Sequence, residues 1–232
     1  MTLRTDLTDF VASTFSTSWA RRNGRVVPDT DSLTFKNEAV DIEATILYAD
    51  LADSTGLVAG WKDFFAADVY KNYLYCASRL IRDNGGEITA YDGDRVMGVF
   101  VGAGMEAAAV KTGLKINWAV NEIIKPAIDK RWTDNTFKLK QKVGIDKSPL
   151  MVAKTGVRTA NDLVWVGTAA NNAAKLAARD SFSSTYITSR VYDPLVDVGK
   201  YGGSPKENMW SDLGWDQTIN QRVYGSTWQM GI

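Results

Sequence analysis

The chain has 232 residues, of which 45% are hydrophobic and 23% charged, so it is long enough for one large domain with a sizeable core. Its 27 basic and 27 acidic residues cancel, which argues against broad electrostatic capture of nucleic acid or anionic membrane. It contains no histidine and one cysteine, Cys76, which excludes Ser-His-Asp and Cys-His catalysis, histidine- or cysteine-built metal sites and an intrachain disulfide.

The N-terminal part of the chain predicts a helix followed by an extended connection. Residues 6–20 carry apolar side chains at helical spacing, with Thr5 or Asp6 available as the N-cap. The next stretch is rich in charge, glycine and proline. We therefore expect an N-terminal helix and linker over residues 1–37 and the main domain over residues 38–232. The polar N-terminus and the lack of any apolar run near about 20 residues predict a cytoplasmic protein without a membrane span.

From residue 38 onward, the patterns of strands and helices alternate. Residues 43–50 (EATILYAD) predict a strand buried on both faces, and residues 61–82 predict a long amphipathic helix. Residues 87–102 predict a hairpin around Asp92-Gly93. After the hairpin, the pattern predicts a helix from 105 to about 125 that ends at Pro126, followed by strands within 138–158 and 162–167. It then predicts a short helix over 167–180 and a strand running into a helix over 184–197. The last thirty residues predict irregular strands and loops. The elements indicate an α+β or α/β fold with a mixed sheet.

Two carboxylates follow β-forming segments and are the first candidates for chemistry. Asp50 ends the predicted buried strand, and Asp94 follows the tip of the hairpin. If the hairpin pairs beside the strand, both carboxylates meet at one edge of the sheet, and such oxygen ligands suit Mg²⁺ or Mn²⁺. A metal pair held in this way promotes in-line displacement at phosphorus. The alternative is that Asp50 caps a helix and Asp94 is an ordinary turn residue.

The polar segment Asp53, Ser54 and Thr55, followed by Gly56, lies between the strand and the long helix. A strand, a short polar loop and a helix N-terminus can cradle a phosphate, but the same residues serve plain helix capping. Haloacid-dehalogenase-type phosphotransferases are excluded, because they need two aspartates separated by one residue, whereas two residues separate Asp50 from Asp53.

Three segments in order, ILYADLADSTGLV, GGEITAYDGDRVMGVF and VGTAANNAAKLAA, resemble the catalytic domain of class III nucleotide cyclases. VGIDKSPLMVAKTG, between the second and third segments, is similar to the central strand pair of that family, and the resemblance covers about residues 40–190. It implies an α+β fold, with a mixed, mainly antiparallel sheet flanked by helices. The part from 38 to 232 would then be the cyclase catalytic domain.

The resemblance also implies roles for individual residues. Asp50 and Asp94 match the metal-binding positions for two divalent ions, Mn²⁺ or Mg²⁺, and the main-chain carbonyl of Leu51 would serve the second ion. Asn171 matches the residue that orients the ribose. Lys175 lies where the family usually has an arginine that stabilises the transition state. The point charge of an ammonium group thus replaces a planar guanidinium, which can form two parallel hydrogen bonds.

The positions that read a purine base in this family are apolar here, namely Ala90 and Val164. Tyr48 and Arg95 instead flank the metal-binding aspartates, and this YAD…GDR pattern resembles the pyrimidine cyclases of bacterial Pycsar antiphage defence. A bulky tyrosine would disfavour a two-ring base. The guanidinium of Arg95 has donors only, so it favours uracil, which presents O4 as an acceptor, over cytosine, which presents an amino group there.

The resemblance thus predicts an enzyme that converts UTP to 3′,5′-cyclic UMP and pyrophosphate. It implies a homodimer with substrate sites at the interface, no nucleic-acid or membrane partner, and a product sensed by a separate effector protein in antiphage defence. Three alternatives stay open at this point: a cytidylate cyclase, a relaxed adenylate cyclase, and a catalytically silent cyclase fold that acts as a regulatory module.

Overall fold

The computed structural model describes residues 2–134, 136–180 and 182–232. In chain order the elements are α1 (Leu3–Ser16), β1 (Ala20–Asn23), a 3₁₀ turn (Thr30–Ser32), β2 (Glu38–Ala52), α2 (Ser54–Gly60), α3 (Asp63–Asp83), β3 (Glu87–Asp92), β4 (Arg95–Val101), α4 (Met105–Ala119), a π turn (Val120–Ile124), α5 (Lys125–Arg131), β5 (Lys140–Val157), β6 (Ala160–Val166), α6 (Thr168–Ala177), β7 (Thr185–Thr188), α7 (Ser189–Tyr192), α8 (Asp197–Lys200), β8 (Tyr201–Gly202), β9 (Glu207–Asn208), β10 (Ser211–Asp216) and β11 (Gln221–Ser226). No helix in these ranges is long and apolar enough to cross a membrane.

A mixed, mainly antiparallel sheet organises the protein, as the sequence predicted. Its order is β10-β11-β7-β5-β2-β4-β3, with β1 added to β2 and β6 added to β5. The β1–β2 and β5–β7 pairs are parallel and the other pairs are antiparallel. The long uncharged run of β2 explains its central place, because a strand covered on both faces must be apolar on both sides.

Helices cover the two faces of the sheet. The larger apolar cluster joins α3 and α4 to one face and includes Leu47 and Ala49 of β2. The smaller cluster lies on the other face, where α6 packs against β2 and β5 and Ile46 is buried. Gly144 of β5 allows this close approach, because a Cβ atom there would lie 2.1 Å from the carbonyl oxygen of Ala173 in α6.

The helix that begins at Met105 does not end at Pro126. After α4 comes a π turn, and α5 then continues to Arg131 with Pro126 in its first turn. The π turn shifts the hydrogen-bond register, so the missing N–H of proline falls where a new helix leaves its first N–H groups unpaired. The sequence-based boundary was therefore wrong.

The C-terminal residues are more regular than the sequence predicted. Instead of irregular strands, β10 and β11 form an antiparallel hairpin that extends the main sheet beside β7. A register shift between Asp212 and Trp215 in β10 interrupts the alternation, which explains why the pattern resembled a loop.

The N-terminal helix also differs from its predicted bounds. α1 covers Leu3–Ser16, its N-cap is Thr2 rather than Thr5 or Asp6, and Trp19 lies beyond its end. The following segment contacts the sheet, because β1 pairs with the start of β2 and Leu33 is buried in the smaller apolar cluster. The division into residues 1–37 and 38–232 stays a prediction.

Candidate active site

The pairing of β2 with β4 sets the position of the two candidate aspartates. Asp50 lies opposite Arg95, the first residue of β4. The loop between β3 and β4 is the two-residue turn Gly93-Asp94, and Gly93 has φ of +62°, which a glycine adopts without strain. Asp94 is therefore a turn residue rather than the residue after the turn. The hairpin brings its carboxylate beside that of Asp50, as the sequence predicted.

The electrostatics of this pair favour the binding of a cation. The pKa of Asp50 is raised to about 6, mainly by burial and then by the neighbouring charge of Asp94, while Arg95 and the Leu51 backbone N–H act in the opposite direction. Within the described residues, the Oδ2 atom of Asp94 is buried without a hydrogen-bond partner. Two adjacent carboxylates, one with an unsatisfied buried oxygen, form a donor set that fits a divalent cation.

The protein supplies only part of such a coordination shell. In the described ranges, no group of three or more His, Cys, Asp or Glu side chains is arranged to hold a metal ion. Two carboxylates and a main-chain carbonyl, that of Leu51, are the donors that the end of β2 and the hairpin can offer. This suits Mg²⁺ or Mn²⁺, which in phosphate-handling sites usually keep water and substrate oxygens as further ligands.

Tyr73 of α3 supports the end of β2 and was missed in the sequence. Its side chain is fully buried, and its hydroxyl donates to the carbonyl oxygen of Asp50 over 3.2 Å. This bond fixes the peptide that joins Asp50 to Leu51. A tyrosine on the buried face of a predicted helix was the available signal, because a buried phenol hydroxyl needs a partner.

Tyr48 and Arg95 lie beside the carboxylates, on the face of the sheet that α6 covers. Tyr48 is half-buried and packs against the smaller apolar cluster. Burial raises the pKa of its hydroxyl, and the charge of Arg95 lowers it, which shows that the two side chains are close. Arg95 donates from Nη2 to Asp92 over 2.9 Å. One of its five N–H donors is thus engaged, and the others are available to a ligand.

Lys142 is a second residue that sequence reasoning missed. It lies directly opposite Asp50 in the β2–β5 pair, so both side chains project from the same face of the sheet. Its ammonium group donates to the carbonyl oxygen of Ser183 over 2.7 Å and lies 5.6 Å from the ring centre of Tyr186. These two contacts of the ammonium group thus lie on the β7 side of β5, while the backbone of Lys142 is paired with that of Asp50.

Asn171 and Lys175 lie on the exposed side of α6. Lys175 donates to the carbonyl oxygen of Thr218, in the turn between β10 and β11, over 3.1 Å. The next residue, Asn172, is buried and donates to Asp146 over 2.8 Å, which fixes the rotation of α6 and turns Asn171 outward. Among the described residues, no hydrogen bond or ion pair joins Asp50 or Asp94 to Asn171 or Lys175.

The segment after Asp50 adopts a capped helix start. Asp53 is the N-cap of α2, with φ of +62°, and its carboxylate accepts a hydrogen bond from the backbone N–H of Gly56 over 3.3 Å. The capping role that the sequence left open is therefore present. Phosphate binding by Asp53, Ser54 and Thr55 stays a prediction.

The two positions that would read a purine base remain apolar in the folded chain. Ala90 lies opposite Met97 in the hairpin, and Val164 lies on β6 with 41% of its surface exposed. Neither side chain can form a hydrogen bond to a base.

The fold is that of nucleotide cyclases. The chain superposes with a TM-score of 0.69 on the adenylyl cyclase CyaB from P. aeruginosa, at 23% identity, with 82% of this chain and 95% of that chain covered. A bacterial light-regulated adenylyl cyclase gives the same TM-score at 21% identity, over 83% of this chain and 54% of that longer chain. The guanylyl cyclase Cya2 superposes with a TM-score of 0.64 at 19% identity, with 80% of this chain and 91% of that chain covered. The chain therefore has the fold of adenylyl and guanylyl cyclases.

Sequence relatives narrow the class. The chain is 49% identical over 233 residues to a uridylate cyclase of Xanthomonas perforans and 46% identical over 234 residues to one of Burkholderia cepacia, with 100% of both chains covered in each case. It is 32% identical to a uridylate cyclase of Rhodovulum sp. (strain MB263) over 93% of this chain and 92% of that one. No family model matches the chain. The chain belongs to the uridylate cyclase family.

Proposed function

We propose that this protein converts UTP to 3′,5′-cyclic UMP and pyrophosphate. The observation that carries the proposal is the convergence of Asp50 and Asp94 at one edge of the sheet, in a chain 49% identical over its full length to a uridylate cyclase. In the reaction the 3′-hydroxyl oxygen of UTP attacks the α-phosphorus, the bond to the bridging oxygen breaks, and pyrophosphate leaves. The hydroxyl proton is lost to solvent or to a nearby base.

Asp50, Asp94 and the Leu51 carbonyl are the groups that would hold Mg²⁺ or Mn²⁺. Such ions, when bound, lower the pKa of a nearby hydroxyl and neutralise phosphate charge. The half-buried setting of Asp50 strengthens its attraction for a cation, because water screens the charge less there than at the surface. Tyr73 maintains the orientation of the Asp50 carbonyl and thereby that of the next peptide group.

Positive side chains would bind the triphosphate and stabilise the charge that develops on it. Lys142 is paired with Asp50 across the sheet, and its ammonium group would have to leave the carbonyl of Ser183 to reach a bound triphosphate. Lys175, on the exposed side of α6, would meet the reacting phosphate of a substrate held between two chains, and Asn171, one helical turn earlier, would orient the ribose.

Tyr48 and Arg95 would select the base. The half-buried ring of Tyr48 would narrow the space beside the carboxylates and thereby favour a one-ring pyrimidine. Arg95, held by Asp92, would direct its remaining N–H groups to the O4 atom of uracil. Cytosine would place an amino donor there, and an unpaired buried polar group costs about 1–3 kcal/mol.

Two chains would complete each site. The carboxylates lie at the end of β2, whereas Lys175 contacts the β10–β11 turn, so a partner's α6 would supply Asn171 and Lys175 to the carboxylates of the first chain. A two-fold homodimer then forms two equivalent sites. We further propose that the protein acts in the cytoplasm, where UTP is available, and that a separate effector senses cyclic UMP during antiphage defence.

Replacement of Asp94 by asparagine tests the proposal. The variant keeps the shape of the turn but removes a charge, so cyclic UMP synthesis should fall by at least about a hundred- to a thousandfold. The control is Asp197→Asn, which removes the charge of a surface aspartate paired with Lys206, and it should retain activity. Wild-type activity in a folded Asp94→Asn protein would refute the proposed metal site.

A further inference from the structure

The N-terminal helix carries an apolar face that its own chain leaves uncovered. All of α1 lies within the described residues, and none of its side chains is buried. Its five large apolar side chains are between 51% and 89% exposed; they are Leu3, Leu7, Phe10, Val11 and Phe15. This spacing places them on one side of the helix. A helix of 14 residues is only marginally stable in water, so this face needs a partner surface.

The helix is not a loose tail, because its C-terminal end is fixed to the sheet. The buried side-chain amide of Asn37 donates to the carbonyl oxygens of Thr14 and Thr17 over 2.8 and 2.7 Å. β1 then pairs with the first residues of β2. The attachment lies at the end of β2 away from Asp50, about 40 Å along the strand at the usual rise per residue.

The same end of the sheet has one open face. A cavity of about 450 Å³ spans β1, β2, β5 and β6 there, with an apolar part at Pro149, Met151 and Val166. Its polar lining is formed by Asn23, Glu43 and the Arg21–Asp41 ion pair. Val166 is 55% exposed. The larger apolar cluster under α3 and α4 does not include these residues. An open sheet face beside an uncovered amphipathic helix indicates two halves of one contact.

We propose that the apolar face of α1 packs on this open sheet end in a second copy of the chain, and that the exchange is reciprocal. A membrane surface is a poor occupant, because α1 contains one arginine and two aspartates rather than a basic polar face. The contact area favours a second copy over a foreign protein. Five side chains of this size present on the order of 500 Å² of apolar surface.

The buried interface area favours the reciprocal exchange between two copies. A single helix on a foreign partner buries roughly 1,000 Å² in total, the lower limit for a specific interface, whereas the reciprocal exchange buries about twice that. In a two-fold dimer the same pair of surfaces meets twice, because both chains have the same sequence. The arms then join the two chains at the end of the sheet far from the carboxylates.

Photo-cross-linking tests the contact directly. p-Benzoylphenylalanine replaces Phe10 in the full chain, the purified protein is mixed with isotope-labelled chains, and the cross-linked peptides are identified by mass. We expect covalent dimers whose label pattern joins residue 10 of one chain to residues 149–152 of the other. The same probe at Ser13, on the polar side of α1, should give little product. Cross-links confined to one chain, equal yields at both positions, or capture of another protein when the reaction is run in lysate would overturn the proposal.

A second measurement covers the case in which the probe disturbs the contact. Phe10→Glu combined with Phe15→Glu should raise the dimer dissociation constant at least about thirtyfold, the effect of losing interface anchor residues. Ser13→Glu is the matched control and should leave the constant unchanged. Sedimentation equilibrium provides the constants, and circular dichroism confirms folding of each variant. A dissociation constant unaffected by the double change would refute the exchange, whatever the outcome for UTP cyclisation.

Discussion

Asp50 should make the metal-free protein less stable at neutral pH than in mild acid. Its pKa is raised from 3.8 to about 6, so the folded state favours the protonated form. A raised pKa contributes stability below the unfolded value and loses it as the pH rises through the folded value. We therefore expect stability to fall between about pH 4 and pH 7, in the absence of divalent cations.

The size of the effect follows from the shift. The full pKa difference of Asp50 corresponds to about 3 kcal/mol in the free energy of unfolding. Because Asp50 is only half-buried, water screens part of its charge, and we expect a loss of stability of about 1–1.5 kcal/mol. For a chain of this length that is a decrease in Tm of roughly 2–6 °C. Saturating Mg²⁺ or Mn²⁺ at pH 7.5 should reverse the decrease, because the cation binds the folded state only.

Asp50→Asn separates this account from a general effect of pH. The variant has no charge to desolvate, so without metal at pH 7.5 it should be about 1 kcal/mol more stable than the wild type and should not respond to the cation. Thermal unfolding followed by circular dichroism between pH 5 and pH 7.5 supplies the comparison, with Asp197→Asn, which removes a surface charge paired with Lys206, as the control that keeps the wild-type response. Identical pH profiles and cation responses for Asp50→Asn and the wild type would refute the reasoning.

Three further predictions concern the roles of single residues. Asp94→Ala and Asn171→Ala chains, each inactive alone, should regain part of the wild-type turnover when mixed and re-equilibrated, and no recovery would contradict sites shared between two chains. Arg95→Ala should lower kcat/KM for UTP about ten- to a hundredfold more than for CTP, and an unchanged UTP:CTP ratio would show that the guanidinium does not read the base. Tyr73→Phe should weaken Mn²⁺ binding measured by titration calorimetry, because it loses the hydrogen bond to Asp50. The control Tyr192→Phe, which loses a hydrogen bond to Asn208, should bind Mn²⁺ as the wild type does. Equal affinities of the two variants would assign Tyr73 a packing role alone.

The sequence predicted the part of the site that depends on local patterns. The apolar run before Asp50 specifies a central strand, and an Asp-Gly pair between two β-forming runs specifies a hairpin, so the meeting of Asp50 with Asp94 could be expected. The fold class followed from the order of such segments. The relatives and the solved structures confirm the family and the fold.

Features that depend on pairing between distant segments could not be predicted. Lys142 becomes a neighbour of Asp50 only through the register of two strands more than ninety residues apart. The bond from Tyr73 to the main chain of Asp50 depends on the rotation of α3 against the sheet, and the salt bridge of Arg95 with Asp92 depends on side-chain conformation. The π turn before Pro126 has no local signal, because the same residues suit a continuous helix that ends there.

The central claim is that the site selects uridine, and a direct competition tests it. The purified protein is incubated with Mn²⁺ and equal concentrations of ATP, GTP, CTP and UTP, and the cyclic products are separated and identified by mass spectrometry against standards. We expect 3′,5′-cyclic UMP as the dominant product, with cyclic CMP about ten- to a hundredfold lower and purine products lower still. A dominant cyclic CMP, cyclic AMP or cyclic GMP product, or no cyclic product from a folded dimer, would contradict the claim.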